Sequence, residues 1–407
     1  MIFITSIPFY LSSLNLSYID SLFESVASWT TTGTSVVNSD VMPIGLQMLR
    51  ASCNWMGALG IIVIALNFLP TWQFVGRSLV ITEIAGPGFM KINTTFRKTY
   101  RRALAIYISL TAIQYALLRI SGLNKSDSLI TSLSNISTAG LMNLNNGNII
   151  SYGLAVKIII TTFAFMSSLN FSILLLATMR KFRELTEGPE LKFHSGRILT
   201  TAIFITGVLY ITYNRSISSL KEFGNVLMQV NSYFTTAGYQ ISDTSRWPGA
   251  ACAIILVQMF IGACAISSGG GIKAARTIIA LKTASRTLYH HIHKNAIRPI
   301  KYAGTPLKLN TLLRCNLYIV MFVVTYLFGA LILSINLDLN TALSTSLAML
   351  TNTGTYINQT ATTGILDDYS IVSKITMMFL MLAGRLEIYP VILIFFKSFW
   401  KNENDFL

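Results

Sequence analysis

Residues 30–35 read TTTGTS, and related strings return as STAGLMN at 137–143, TTAGYQ at 235–240 and TNTGTY at 351–356. Their glycines, Gly33, Gly140, Gly238 and Gly354, stand 107, 98 and 116 residues apart. A single Thr-x-Gly string carries no information, but four at near-constant spacing mark an internal repeat. Each string closes a half-polar stretch, at 19–32, 126–138, 221–236 and 338–353. None of these is long or apolar enough to cross a bilayer, which takes about 20 apolar residues. Each suits a re-entrant half-helix instead.

Apolar segments flank them at 46–69, 103–120, 149–179, 198–213, 250–266, 317–335 and 375–396, while 1–11 is apolar but short. The repeating unit is therefore outer helix, pore half-helix, glycine-bearing turn and inner helix. Four such units divide the chain as 1–70, 71–179, 180–292 and 293–407. The first outer helix reads as truncated and the third inner helix as broken. The expected fold is an all-α polytopic membrane protein of four outer-helix, pore-helix and inner-helix repeats.

Composition agrees: 52% of the 407 residues are hydrophobic and 12% charged, against about 25% charged in a soluble domain. A water-soluble globule is excluded. With 9 Pro, 26 Gly and no low-complexity tract, collagen-like and disordered classes go as well. The net charge is +15, but this basicity needs no nucleic-acid partner. Lys and Arg gather at 71–102, 180–197 and 273–314, whereas Asp40, Asp127, Asp243, Asp338, Asp367 and Asp368 lie beside the half-helices. The positive-inside rule makes the three basic loops cytoplasmic and opens the half-helices to the outside. Cys53, Cys252, Cys264 and Cys315 lie in or beside apolar runs without CxxC spacing, and read as small buried hydrophobes. The apolar start lacks a basic n-region and a small-residue cleavage site, so it does not read as a cleavable signal.

Four turns meeting on one axis have a specific chemistry. Backbone that is not helical at membrane depth must line a cavity or be buried in protein. Carbonyl oxygens of consecutive residues can there replace the water shell of an alkali cation. Glycine suits such a turn because it visits dihedrals that a Cβ forbids, and a preceding Thr can add a hydroxyl oxygen. The half-helix C-termini, carrying partial negative charge, favour a cation beneath the turns. The candidate ion-binding residues are Thr31, Thr32 and Gly33; Thr138, Ala139 and Gly140; Thr236, Ala237 and Gly238; and Asn352, Thr353 and Gly354. The alternative is that these glycines are ordinary helix C-caps.

These strings, with FESVASWTTTGTS at 23–35, SSGGGIKAAR at 267–276 and MLAGRLEIYP at 381–390, resemble the Trk/Ktr/HKT superfamily of potassium transporters, closest to the bacterial TrkH-type subunit. The resemblance covers essentially the whole chain. It implies that the four repeats form a pseudo-fourfold, potassium-channel-like pore, with potassium as substrate and no covalent cofactor, a homodimer of single-chain pores in the bilayer, and a cytosolic nucleotide-binding regulatory subunit of the TrkA/KtrA type. No dinucleotide or Walker loop occurs in this chain, so a nucleotide would have to be bound by that partner. In the plant branch a Ser at the first filter glycine goes with sodium, so Gly33 favours potassium over a poorly selective or sodium-preferring relative. Asn352 departs from the pattern, standing where the other strings have Thr31, Thr138 and Thr236.

Residues 262–272 hold Gly262, Ser267, Ser268, Gly269, Gly270 and Gly271. Each Gly forfeits roughly 1 kcal/mol of helix propensity relative to Ala, so the third inner helix should break here. A loop below the filter could obstruct the cavity and swing aside, a gate that the resemblance also implies, with Lys273 and Arg385 as its cations; the alternative is a close helix contact of the small-residue type. Arg385 lies deep in the last apolar segment, where an ionisable group is functional by default. It either faces the pore or forms a structural pair with Glu387 or with carbonyls of the 269–271 loop. Glu24, nine residues before Gly33, sits behind the filter or at the outer rim. Asn38, Asn143, Asp243 and Asn358 line an outer vestibule or belong to solvated loops. His290, His291 and His293 lack a Cys or carboxylate to complete a metal site, and an intramembrane enzyme built on them or on Glu387 is the reading from another class.

Overall fold

A computed structural model describes residues 1–39, 41–71, 96–140, 149–178, 188–213, 220–244, 247–294, 299–354 and 369–393. Asp40, Asn143, Asn358, Asp367, Asp368, much of the first two basic loops and the end of the last apolar segment lie outside them.

Repeat one comprises α1 (Ile2–Tyr10), α2 (Tyr18–Trp29) and α3 (Ile44–Thr71). Repeat two comprises α4 (Phe96–Ile120), α5 (Lys125–Ile136), α6 (Leu154–Ser168) and α7 (Phe171–Thr178). In repeat three follow α8 (Pro189–Thr212), α9 (Leu220–Phe234), α10 (Gly249–Ile261) and α11 (Ala274–Ile292). A two-stranded hairpin, β1 (Lys301–Tyr302) and β2 (Thr305–Pro306), precedes α12 (Leu309–Leu333), α13 (Leu339–Leu350), α14 (Ile371–Arg385) and α15 (Ile388–Leu393) of repeat four.

The outer helices α4, α8 and α12 contain spans of membrane length, only 28%, 33% and 28% buried. Leu313, Leu317, Val320, Val324, Leu327 and Leu331 leave α12 with an exposed apolar surface that water would penalise and lipid accepts. α1, at nine residues, packs on α2.

The half-helices α2, α5, α9 and α13 are the buried centre. Ser17 caps α2 by accepting from the Asp20 amide at 3.1 Å, and Asp338 caps α13 from the Thr341 amide at 3.1 Å, each satisfying a donor that a helix start leaves free. Each half-helix packs on its own inner helix and on the inner helix of the preceding repeat: α5 on α3, α9 on α6, α13 on α10 and α2 on α14. That last contact closes the series into a ring. Its closing seam carries a buried ion pair, Lys374 Nζ on α14 to Asp20 Oδ1 on α2 at 2.6 Å.

Two expected spans are interrupted. The 149–179 segment stops at Ser168 and resumes at Phe171, because the glycine-rich loop takes over the freed backbone groups: Cys264 N donates to Ser168 O (3.1 Å) and Phe171 N to Ile266 O (3.2 Å). The 375–396 segment breaks after Arg385, where Glu387 adopts a left-handed φ of 68° and pairs with Arg276 of α11 at 2.8 Å. The expected break in the third inner helix falls between Ile261 and Ala274.

The hairpin turns on Ala303 and Gly304, both left-handed at 47° and 80°, as a tight two-residue connection requires. It holds Tyr302 against Glu190, at the start of α8, through a 2.5 Å hydrogen bond. Burial, then the neighbouring carboxylate, lifts the Tyr302 hydroxyl well above the ordinary tyrosine range, so it stays a neutral donor.

Candidate functional site: four glycine turns over a buried loop

All four half-helices end alike. The residue two before each glycine donates its amide three residues back: Thr31 to Ser28 (3.1 Å), Thr138 to Asn135 (2.9 Å), Thr236 to Tyr233 (3.2 Å) and Asn352 to Met349 (3.1 Å). The next amide reaches five residues back: Thr32 to Ala27 (3.0 Å), Ala139 to Ser134 (2.9 Å), Ala237 to Ser232 (3.0 Å) and Thr353 to Ala348 (2.9 Å). This pair of bonds is a Schellman ending. Its left-handed residue is Thr31, Thr138, Thr236 or Asn352, at φ of 54°, 54°, 57° and 53°, rather than the glycine. The C-cap alternative for the glycines therefore fails.

The glycines lie two residues farther and form a second left-handed point, at 73°, 66°, 70° and 72°. Left-handed residues alternate with ordinary ones, which swings successive carbonyls toward one side instead of alternating them as a strand does. Holding a β-branched Thr there costs about 1–3 kcal/mol, and three of the turns bear it. The turns also touch one another. A Cβ on Gly140 would lie 1.9 Å from Ala237 O, and one on Gly354 would lie 1.8 Å from Thr32 O. Glycine is required here by space as well as by dihedral.

Beneath the turns runs the glycine-rich loop, with residues 262–272 all buried. Gly270 N donates to Thr236 Oγ1 of the third turn at 3.0 Å, and a Cβ on Gly270 would stand 2.0 Å from Thr351 O of the fourth. Ser268 Oγ donates to Ser167 O on α6 at 3.0 Å. Lys273 Nζ donates to Gly269 O. Arg385 donates through Nη1 to Ser268 O (2.6 Å) and through Nη2 to Gly57 O on α3 (3.3 Å). The loop thus contacts repeats two, three and four directly, and Arg385 links it to α3 of repeat one.

The TrkH family, described as a cation transport protein family, matches residues 1–404. The chain belongs to the TrkH family. Among its relatives, the Trk system potassium uptake protein TrkH of Halomonas elongata is 29% identical, over 98% of this chain and 83% of that protein. The protein of the same name from Escherichia coli is also 29% identical, with the same coverage. The E. coli Trk system potassium uptake protein TrkG is 27% identical, over 98% and 82%. In fold, the chain resembles the crystal structure of the potassium transporter TrkH from Vibrio parahaemolyticus, at a TM-score of 0.83 and 24% identity, covering 98% of this chain and 82% of that one. The TrkH-family chain is a membrane protein of a transport family, which removes the enzyme reading.

In this TrkH-family chain the twelve candidate filter residues fall on the four turns, and the gate candidates Ser267, Ser268, Gly269, Gly270, Gly271, Lys273 and Arg385 fall together beneath them. Of the contacts expected for Arg385, the bond to Ser268 O is one to a carbonyl around the 269–271 loop; Glu387 pairs with Arg276 instead. Glu24 is fully buried behind the first turn, not at the rim. Its Oε1 accepts from Ser35 Oγ (2.5 Å) and Val36 N (2.8 Å), and its charge is met by Arg50 at 3.5 Å. Sequence reasoning missed Gln229, which holds the third turn. It also missed Gly57 and Gly384, where a Cβ would meet Trp29 O at 2.2 Å and Leu350 O at 2.0 Å. A signal for each was present. Gln229 precedes Gly238 by the nine residues that separate Glu24 from Gly33, and Trp29 and Leu350 each stand four before a turn glycine. Among the described residues no His, Cys, Asp and Glu cluster of metal-binding size occurs, and His290, His291 and His293 lie at the end of α11, away from the turns.

Proposed function

We propose that this chain takes up potassium across the cytoplasmic membrane, through the carbonyls of the four glycine turns, with the half-helices opening outward and the loop at 262–273 acting as the gate. The observation that carries the reading is the doubled left-handed geometry, present in all four turns and packed glycine against turn across neighbouring repeats. Alternating left-handed and ordinary residues is a backbone that can turn successive carbonyls to one side, as coordination of a dehydrated cation requires. The potassium uptake names of the relatives support the same ion, as does the glycine in every turn. The membrane potential supplies about 2.3 kcal/mol per charge per 100 mV toward entry.

The filter residues are Thr31, Thr32, Gly33, Thr138, Ala139, Gly140, Thr236, Ala237, Gly238, Asn352, Thr353 and Gly354. Ser268, Gly269 and Gly270 form the obstruction, and Lys273 and Arg385 hold it. In this reading the chain works as a homodimer with a cytosolic nucleotide-binding subunit of the TrkA/KtrA type; for the relatives, a Trk system name implies association with other Trk components. The test is growth of a potassium-uptake-deficient bacterium at low external potassium. The native chain should restore growth and rubidium uptake, and Gly238→Ser should lose preference for rubidium over sodium. Absence of both growth and rubidium uptake from well-expressed native protein overturns the reading.

A further inference from the structure

The position nine residues before each turn glycine is occupied by Glu24, Thr131, Gln229 and Thr345. All four are fully buried. In repeat three, Gln229 Oε1 accepts from Ile241 N (2.6 Å) and Ser242 N (3.0 Å), while Nε2 donates to Tyr239 O (3.0 Å). Val36 and Ile241, the amides held by Glu24 and Gln229, both stand three residues beyond their glycine. The two side chains thus perform the same task in two repeats with different charge. Glu24 brings its counterion, Arg50, itself anchored to Ser35 Oγ (3.1 Å) and Ser39 Oγ (3.0 Å). Gln229, being neutral, needs none, in keeping with the rule that buried charge is paired.

The other two repeats carry Thr131 and Thr345 at this position. A Thr hydroxyl sits on Cβ, two bonds closer to the backbone than a Glu or Gln oxygen, so it reaches less far from the half-helix. Thr131 Oγ1 has no hydrogen-bond partner among the described residues, and Thr345 stands beside Tyr369. Because the ring runs through repeats one to four in order, the clamped turns face each other diagonally, as do the Thr-backed turns.

We infer that Glu24 and Gln229 are positioning residues that stiffen turns one and three, so that this diagonal pair sets discrimination between potassium and sodium. The inference rests on the filter reading above. A carbonyl cage rejects the smaller ion only if it resists closing around it, and a turn whose outgoing amides are held from behind resists most. The Thr-backed turns contribute oxygens with less restraint.

The experiment compares initial rubidium and sodium uptake in cells, normalised to folded protein recovered by size exclusion in detergent. Gln229→Met keeps length and volume but removes the amide acceptor; Glu24→Met, combined with Arg50→Met to avoid an orphaned charge, does the same in turn one. Either variant that folds carries the test. Each should lower the rubidium-to-sodium ratio about tenfold, the scale of one lost hydrogen bond, mainly through a lower KM for sodium at little changed maximal rate. Glu24→Gln combined with Arg50→Met, which keeps the acceptor and leaves no orphaned charge, should retain the ratio, and Thr131→Val and Thr345→Val should stay within about twofold. A folded Met variant with the native ratio overturns the inference, as does an equal fall in the Thr→Val variants. A native chain that itself transports no rubidium would instead overturn the filter reading.

Discussion

Asn352 donates from Nδ2 to Thr32 Oγ1 at 3.0 Å and to Met381 O at 3.0 Å, joining the fourth turn to the first and to its own inner helix. The residue that departs from the Thr pattern is the one lying on the seam where the ring closes. Asn also tolerates the left-handed backbone better than Thr does. Asn352→Thr should therefore keep the turn's shape, since three sister turns hold Thr there, and lose both bonds. The expected destabilisation is about 1–3 kcal/mol, read as a lower melting temperature in detergent. An unchanged melting temperature would remove Asn352 from the seam's support.

Glycines on the inner helices make a second, independent prediction. A Cβ on Gly57 would meet Trp29 O at 2.2 Å, and on Gly384 Leu350 O at 2.0 Å, both backbone atoms of a half-helix. Backbone yields little, so Gly57→Ala and Gly384→Ala should each cost about 1–3 kcal/mol by overpacking. Gly60, nearly one turn along α3, has nothing within 4 Å. Gly60→Ala should instead be neutral or stabilise by about 0.5–1 kcal/mol. Thermal unfolding of the three variants, side by side, separates crowding from helix propensity.

What could be read without coordinates follows from range. The repeats were legible because four glycines and their half-polar stretches recur along the chain, and the break at 262–272 because glycines cluster there. The left-handed Thr31, Thr138 and Thr236 were not, since β-branched residues disfavour that conformation locally and only the surrounding ring enforces it. The breaks at Leu169–Asn170 and Leu386–Glu387 were likewise hidden. Apolar runs resume on both sides of the polar residues there, and the partners that make the breaks tolerable, Cys264, Ile266 and Arg276, lie far away in sequence.

Acid should weaken the cap of α13. Asp338 accepts from Thr341, through the hydroxyl and through the amide at 3.1 Å, which holds its carboxyl below the ordinary range. A folded value below the unfolded one, about 3.9, stabilises fully above that pH and is lost as pH falls through the folded value. Asp338→Asn retains an oxygen acceptor for the amide and does not titrate. The native protein should thus lose stability relative to Asp338→Asn as pH falls below about 4, measured as the difference in melting temperature. A difference constant with pH would show that this carboxylate does not contribute through its charge.

The loop beneath the turns supplies the last prediction. Gly270 fits against Thr351 O only because it has no side chain, with a Cβ placed 2.0 Å from that oxygen. Gly270→Ala must push the loop away from the fourth turn, at about 1–3 kcal/mol of overpacking borne by the seated loop. If the seated loop is the obstruction, that penalty falls on the closed arrangement and raises uptake by about tenfold. Arg385→Lys acts on the same arrangement from the other side. Lysine keeps the charge but lacks the fork that spans Ser268 O and Gly57 O, so uptake should rise by a smaller factor. Initial rates of rubidium uptake, equalised for folded protein, decide the matter. Faster transport in both variants places the closed state in the contacts of Gly270 and Arg385. Slower transport in a folded Gly270→Ala protein would mean that the loop supports the filter rather than blocking it.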